Sequence, residues 1–222
     1  MIDQLQIGNK YSYDDFEANV KERKIGSPKK KVVKDTVPFS NVTYDFSKID
    51  GELYWEERTL EYIFEIDAMT PEELEEKKTD FKLWIMNVFE EELFDPFIED
   101  YHFIATFDDI DFDDSEIEKT TITVTFSAYP FMIANSKSVF EFVLPTETEE
   151  EVSIENKSGH KITPTLIASV PVSFRHGNTT YSLNAGETSD VYFGLDVGQN
   201  TLVIQPVAEA GTLRIEFLGE VF

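Results

Sequence analysis

Between residues 121 and 131 the chain alternates without a break: Ile122, Val124, Phe126 and Ala128 fall on one side, Thr121, Thr123, Thr125 and Ser127 on the other. Successive side chains of a strand point to opposite faces, so this pattern specifies a strand with one face in a core and one toward water. Pro130 offers no backbone donor and ends regular pairing. The residues before this strand are acidic and aromatic and contain one helical segment; those after it form short apolar segments and turns with few charges. The strand is therefore read as the last of a first domain, leading into the joint with a second.

Residues 55–66 alternate too, with Leu60, Tyr62, Phe64 and Ile66 against Thr59, Glu61, Ile63 and Glu65, predicting a strand with Glu61 and Glu65 outward. Shorter strands are expected near residues 3–7, 12–20 and 43–46, with turns at 37–41 and 47–52. The one helix is predicted over residues 71 to about 89. Thr70 is its cap, Pro71 its first residue and Glu73 the partner in a capping box, with Glu72, Glu75 and Glu76 near the positive end of the dipole. Leu74, Phe81, Leu83, Trp84, Ile85, Val88 and Phe89 make its apolar stripe, read as core. Glu90, Glu91 and Glu92 then sit at the unfavourable carboxyl end, so packing has to hold the helix. Aromatic strand signals run through residues 93–107.

From residue 138 short segments recur at 139–144, 152–156, 163–170, 172–175, 180–183, 189–193, 201–205 and 212–218. Turn clusters such as Lys157-Ser158-Gly159-His160, Asn184-Ala185-Gly186 and Val197-Gly198-Gln199-Asn200 separate them. This spacing predicts an antiparallel sandwich. The expected class is mainly β (α+β): a β domain with one helix over residues 1–137, then a β-sandwich over residues 138–222.

Charge is segregated along the chain. Residues 1–50 carry a net of +1, residues 51–150 a net of −22 and residues 151–222 a net of −4, giving −25 in all. The acidic middle opposes wrapping of nucleic acid, which requires cations to displace phosphate counterions. Lys29, Lys30 and Lys31 form the one basic run. Such a run can mark nucleic acid, but in an acidic protein it is more often an exposed edge; a third reading is an arm that docks on the acidic middle of a neighbouring copy, and these lysines are the candidate subunit-interface residues.

Little catalytic chemistry is legible. There are no cysteines, so disulfides, thiol catalysis and Cys-ligated metals are excluded. His102, His160 and His176 lie far apart, and neither a glycine-rich phosphate loop nor a nucleophile elbow occurs. Asp109, Asp111 and Asp113 begin like a calcium loop, but Asp114 stands where the turn needs glycine and Thr120 where a bidentate glutamate is needed; residues 108–118 are read as a charged hairpin connection. No catalytic, cofactor or metal site is expected. The first residues lack the pattern of a signal peptide and no apolar run is long enough to span a bilayer, so a cytoplasmic origin without membrane insertion is expected.

The order of local phrases carries a family resemblance. The runs Val20-Lys21-Glu22-Arg23-Lys24-Ile25-Gly26-Ser27-Pro28-Lys29-Lys30-Lys31, Val37-Pro38-Phe39-Ser40 and Tyr44-Asp45-Phe46-Ser47 come first. Gly51-Glu52-Leu53-Tyr54-Trp55-Glu56-Glu57-Arg58 then leads into the strand expected up to residue 66. With the helix, the closing Phe126-Ser127-Ala128-Tyr129-Pro130-Phe131 and the late Leu195-Asp196-Val197-Gly198-Gln199-Asn200, the chain resembles siphophage distal tail proteins over nearly its whole length. Phe39 departs from that pattern, standing where glycine is expected in many relatives. The resemblance implies a hexameric ring at the distal end of a phage or prophage tail, with a central channel for DNA and an outward-facing galectin-like sandwich. Implied partners are the tail tube, the tape measure protein, the tail tip protein and the receptor-binding apparatus of the baseplate. The implied location is the virion tail, assembled in the bacterial host. The competing reading is a carbohydrate-binding module for cell-wall adhesion.

Overall fold

The computed structural model describes residues 3–36, 38–39, 41–48, 51–113, 115–145, 149–189, 192–206 and 209–222. It divides into two compact units, residues 1–132 with Phe222, and residues 133–221.

The first unit runs β1 (Gln6–Ile7), β2 (Lys10–Tyr11), β3 (Asn19–Ile25), β4 (Lys34–Thr36), β5 (Thr43–Asp45), β6 (Arg58–Asp67), α1 (Pro71–Ile85), β7 (Glu91–Phe94), β8 (Tyr101–Asp113) and β9 (Lys119–Ala128). Its sheet has the order β3-β6-β9-β8-β7-β1-β2, all antiparallel. The alternating strand lies at the centre as β9, paired with β6 on one side and β8 on the other. Its Ile122, Val124, Phe126 and Ala128 are buried beside Leu60, Tyr62, Phe64 and Ile66 of β6. Helix α1 closes this layer with Leu74, Phe81 and Ile85, and Phe16 stacks on Trp84 at 4.5 Å.

The sheet curls until its ends meet. Val20 N–H donates to the Asp3 carbonyl at 2.8 Å, and Asp3 N–H to Asn19 Oδ1 at 2.9 Å. Arg23 then locks the seam: its Nε donates to both oxygens of Asp95 at 2.8 and 3.0 Å, and its Nη2 pairs with Asp3. Asp95 also accepts from Phe97 N–H at 3.0 Å, and its side chain is wholly buried. Burial disfavours the Arg23 cation, but hydrogen bonds and charge from Asp3 and Asp95 outweigh it and raise its pKa. Burial and the neighbouring Asp95 push the Tyr62 phenol upward.

Several local expectations are corrected. Residues 12–16 form a turn, and the strand expected over 12–20 begins only at Asn19. The helix stops at Ile85, not near residue 89. Leu83 O accepts from the Asn87 side chain at 2.5 Å, while the Asn87 and Val88 amides turn back to Trp84 and Ile85, so the ladder breaks. Leu83, on the outward side of the helix, and Phe89, beyond its end, are 59% and 70% exposed. Glu90 takes φ 52°, and Glu91 and Glu92 belong to β7. Residues 108–113 are strand, not connection. A bulge between Phe107 and Asp109 shifts the alternation so that Ile110 and Phe112 face the core and Asp109, Asp111 and Asp113 face out.

The second unit holds β10 (Met132–Leu144), β11 (Glu150–Asn156), β12 (Thr165–Ala168), β13 (Val172–His176), β14 (Thr179–Leu183), β15 (Gly186–Thr188), β16 (Gly198–Pro206) and β17 (Gly211–Val221). Strands β15-β12-β17-β10 and β11-β16-β13-β14 make two layers, with β15-β12-β17 and the whole of the second antiparallel. Between them lie Val152, Ile154, Leu166, Phe174, Leu202, Ile204, Leu213 and Ile215, which is the inner face of a β-sandwich. Gly186, expected in a turn, opens β15 at φ 121°, and β16 begins inside the expected turn 197–200. The strand expected over residues 189–193 includes residues outside those described. The class is mainly β, with a single helix among the described residues.

Candidate functional site

An arm leaves the first unit between residues 29 and 56. Its base is an antiparallel bridge, Lys30 opposite Trp55, with Lys31 N–H donating to Tyr54 O at 2.8 Å and Glu56 N–H to Lys29 O at 2.7 Å. Farther out β4 pairs with β5 as a separate two-stranded sheet, joined by Phe46 N–H to Val33 O and Val33 N–H to Ser47 Oγ. Between the base and this small sheet lies a cleft of about 370 Å³, lined by Lys30, Lys31, Lys34, Lys48, Asp45 and Leu53 among others.

The cleft is cationic. Lys34 Nζ lies 3.8 Å from Asp45, and Lys30 Nζ sits 5.9 Å above the Trp55 ring. Hydrogen bonds from Ser47, with Lys34 nearby, hold the Asp45 carboxyl below its usual range. Every described residue of β4 and β5 is exposed, and large apolar side chains stand in water there: Val32, Val33, Tyr44 and Phe46, each at least 45% exposed. Phe39, at the hairpin end, is fully exposed with φ 65°, a backbone conformation that glycine adopts freely and a bulky residue rarely does. The turn expected at 37–41 includes residues outside those described.

The three lysines that stand out in the sequence do not act alike. Lys29, Lys30 and Lys31 are all exposed, but Lys29 does not line the cleft, whereas Lys34 and Lys48 do. Lys34 and Lys48 lie 3 and 17 positions beyond the run in sequence; the hairpin brings them back to it. A second exposed apolar group lies at the end of the helix: Leu83, Met86 and Phe89 are 51–70% exposed and lead directly into Glu90, Glu91 and Glu92. Glu92 Oε1 is 4.0 Å from His102 Nε2.

The other candidates are dispersed. His102 is buried against Phe94, His160 pairs with Glu220 at 2.7 Å, and His176 meets Phe193 edge-on. Asp109, Asp111 and Asp113 stand opposite Thr125, Thr123 and Thr121 along the outer sheet face. No group of three or more His, Asp or Glu among the described residues is placed to hold a metal ion. No described helix is long and apolar enough to cross a membrane.

No protein-family model matches the sequence, and no curated protein sequence does. Two solved structures are similar over nearly the whole of both chains. A chain of the phage P2 baseplate, in its activated conformation with calcium, is 9% identical over 97% of this chain and 98% of that one, at a TM-score of 0.43. The Dit protein of phage SPP1, described as a paradigm of hub adsorption apparatus in phages infecting Gram-positive bacteria, is 11% identical over 98% of this chain and 99% of that one, at a TM-score of 0.70. From one end to the other, the chain has the fold of a phage tail hub protein.

Proposed function

We propose that this protein is a structural subunit of a phage or prophage tail hub. Copies assemble as a ring, six in number as in the family it resembles, joining the tail tube to the tip and receptor-binding apparatus around a passage for DNA. Residues 1–137 form the ring, residues 138–222 face outward as the sandwich domain, and the arm carrying Lys29, Lys30 and Lys31 reaches a neighbouring copy. The tape measure and tail tip proteins are its further contacts, and its place is the virion tail. The observation that carries this reading is the shared fold with the SPP1 hub protein over nearly the full length of both chains. The exposed apolar side chains of the arm support it, since a contiguous apolar surface on a soluble chain marks an interaction site. Mass in solution, with negative-stain images, tests it. A closed ring of uniform size is the expected result; a chain that stays monomeric at high concentration and is missing from tail particles overturns it.

A further inference from the structure

The ring reading leaves open what each copy offers its neighbour. We propose that the lysine cleft of the arm is a socket for the acidic, apolar segment at the end of α1 in a second copy, residues 83–92; this rests on the ring reading. The cleft presents Lys30, Lys31, Lys34 and Lys48 against one lining carboxylate, Asp45, in a chain of net charge −25. Such a surplus of cations attracts an anionic occupant and orients it during encounter.

Two classes of polyanion meet that description, and the apolar surroundings choose between them. A phosphate backbone has no use for Val32, Val33, Tyr44 and Phe46 beside the cleft, whereas a protein segment with its own apolar side chains does. Residues 83–92 supply both halves of the match: Leu83, Met86 and Phe89 for the apolar rim, and Glu90, Glu91 and Glu92 for the lysines. Leu83 stands on the outward side of the helix, Met86 and Phe89 lie beyond its last residue, and the three glutamates follow, with Glu91 and Glu92 on opposite faces of β7. Arm and segment are different surfaces of one chain, so the contact is head-to-tail, the kind that generates rings when the rotation closes.

Charge exchange tests the pairing. The triple variant Lys30→Glu, Lys31→Glu, Lys34→Glu weakens self-association at least tenfold at low salt, and Glu90→Lys, Glu91→Lys, Glu92→Lys does the same. The chain carrying all six assembles again, because the signs are swapped and the complementarity is kept. Far-UV circular dichroism of each variant checks folding. Independently, a photo-crosslinking residue in place of Phe46 captures a peptide from residues 83–92 of another copy. A wild-type ring that survives both triple variants and crosslinks elsewhere overturns the socket and leaves the ring standing, whereas a monomeric wild type removes both. A labelled DNA duplex is the control ligand: binding that vanishes in the arm variant while assembly is unchanged assigns the cleft to nucleic acid and overturns the proposal.

Discussion

Removing Asp95 should open the seam of the first unit. Its carboxylate is wholly buried and accepts two hydrogen bonds from Arg23 Nε and one from Phe97 N–H. In Asp95→Ala the guanidinium keeps Asp3 alone, on the more exposed side of the seam. Breaking a buried pair from one side costs about 3–5 kcal/mol; Arg23 retains some solvent contact, so the lower end, about 3 kcal/mol, is expected. For a unit of this size that lowers Tm by roughly 8–15 °C. Trp55 and Trp84 both lie in the first unit, so tryptophan fluorescence during urea denaturation reports on that unit alone. The double variant Arg23→Met with Asp95→Ala should lose less than the sum of the two singles, with a coupling of about 2 kcal/mol. A loss below about 1 kcal/mol in Asp95→Ala, or additivity in the cycle, would refute the idea that this pair closes the sheet.

Three other changes probe different terms. Burial alone would raise the Glu65 carboxyl, but hydrogen bonds from Lys119 and Lys21 outweigh it and hold its pKa below the ordinary value. Its stabilisation is therefore complete above the unfolded-state value of about 4.3 and is lost as pH falls through the folded one. The stability gap between wild type and Glu65→Gln should be constant near neutrality and vanish in acid; a gap that persists unchanged in acid contradicts this. At Gly26 an added Cβ would meet Thr59 O at 2.7 Å, and Gly26 N–H already donates to that oxygen, so Gly26→Ala should cost about 1–3 kcal/mol by chemical denaturation. Arg58 is buried, its pKa lowered by desolvation, with Nε and Nη2 lacking hydrogen-bond partners among the described residues. Arg58→Met should leave stability unchanged or raise it by about 1–2 kcal/mol, and a loss of that size would mean the guanidinium has found a partner.

The sheet is legible in the sequence where the alternation has one parity. Residues 58–66 and 121–128 alternate with one parity, and the face read as core is buried while the opposite face is mostly half-buried. At Asp108 the bulge changes parity inside a strand, so acids that look like a loop are its outer face. The end of the helix escapes the periodicity for a local reason: the apolar spacing continues past Ile85, but the Asn87 side chain takes a carbonyl that the ladder needs. Phe39 stands where glycine is expected, and it does occupy a left-handed conformation. The cleft is only half legible. Lys30 and Lys31 stand out as part of a run, whereas Lys34 and Lys48 join them only through hairpin geometry that no periodicity encodes.

The proposed socket makes a kinetic claim that its composition alone does not. Charges at an interface act mainly on encounter, while desolvated apolar contact sets how long the complex lasts. If lysines and glutamates steer while Phe46, Leu83 and Phe89 commit, salt and truncation should act on different rates. At about 0.15 M salt the screening length is about 8 Å, and near 0.01 M it is about 30 Å, so raising salt over that range should slow assembly markedly. Preformed rings should dissociate at nearly the same rate in both conditions. Phe46→Ala or Leu83→Ala should speed dissociation several-fold and leave the salt dependence of assembly intact, because the steering charges remain. Stopped-flow light scattering after mixing, and subunit exchange between labelled rings, measure the two rates separately. Should salt act on exchange and truncation on assembly, the division of labour between the lysines and the aromatic side chains would be the reverse of the one inferred from the structure.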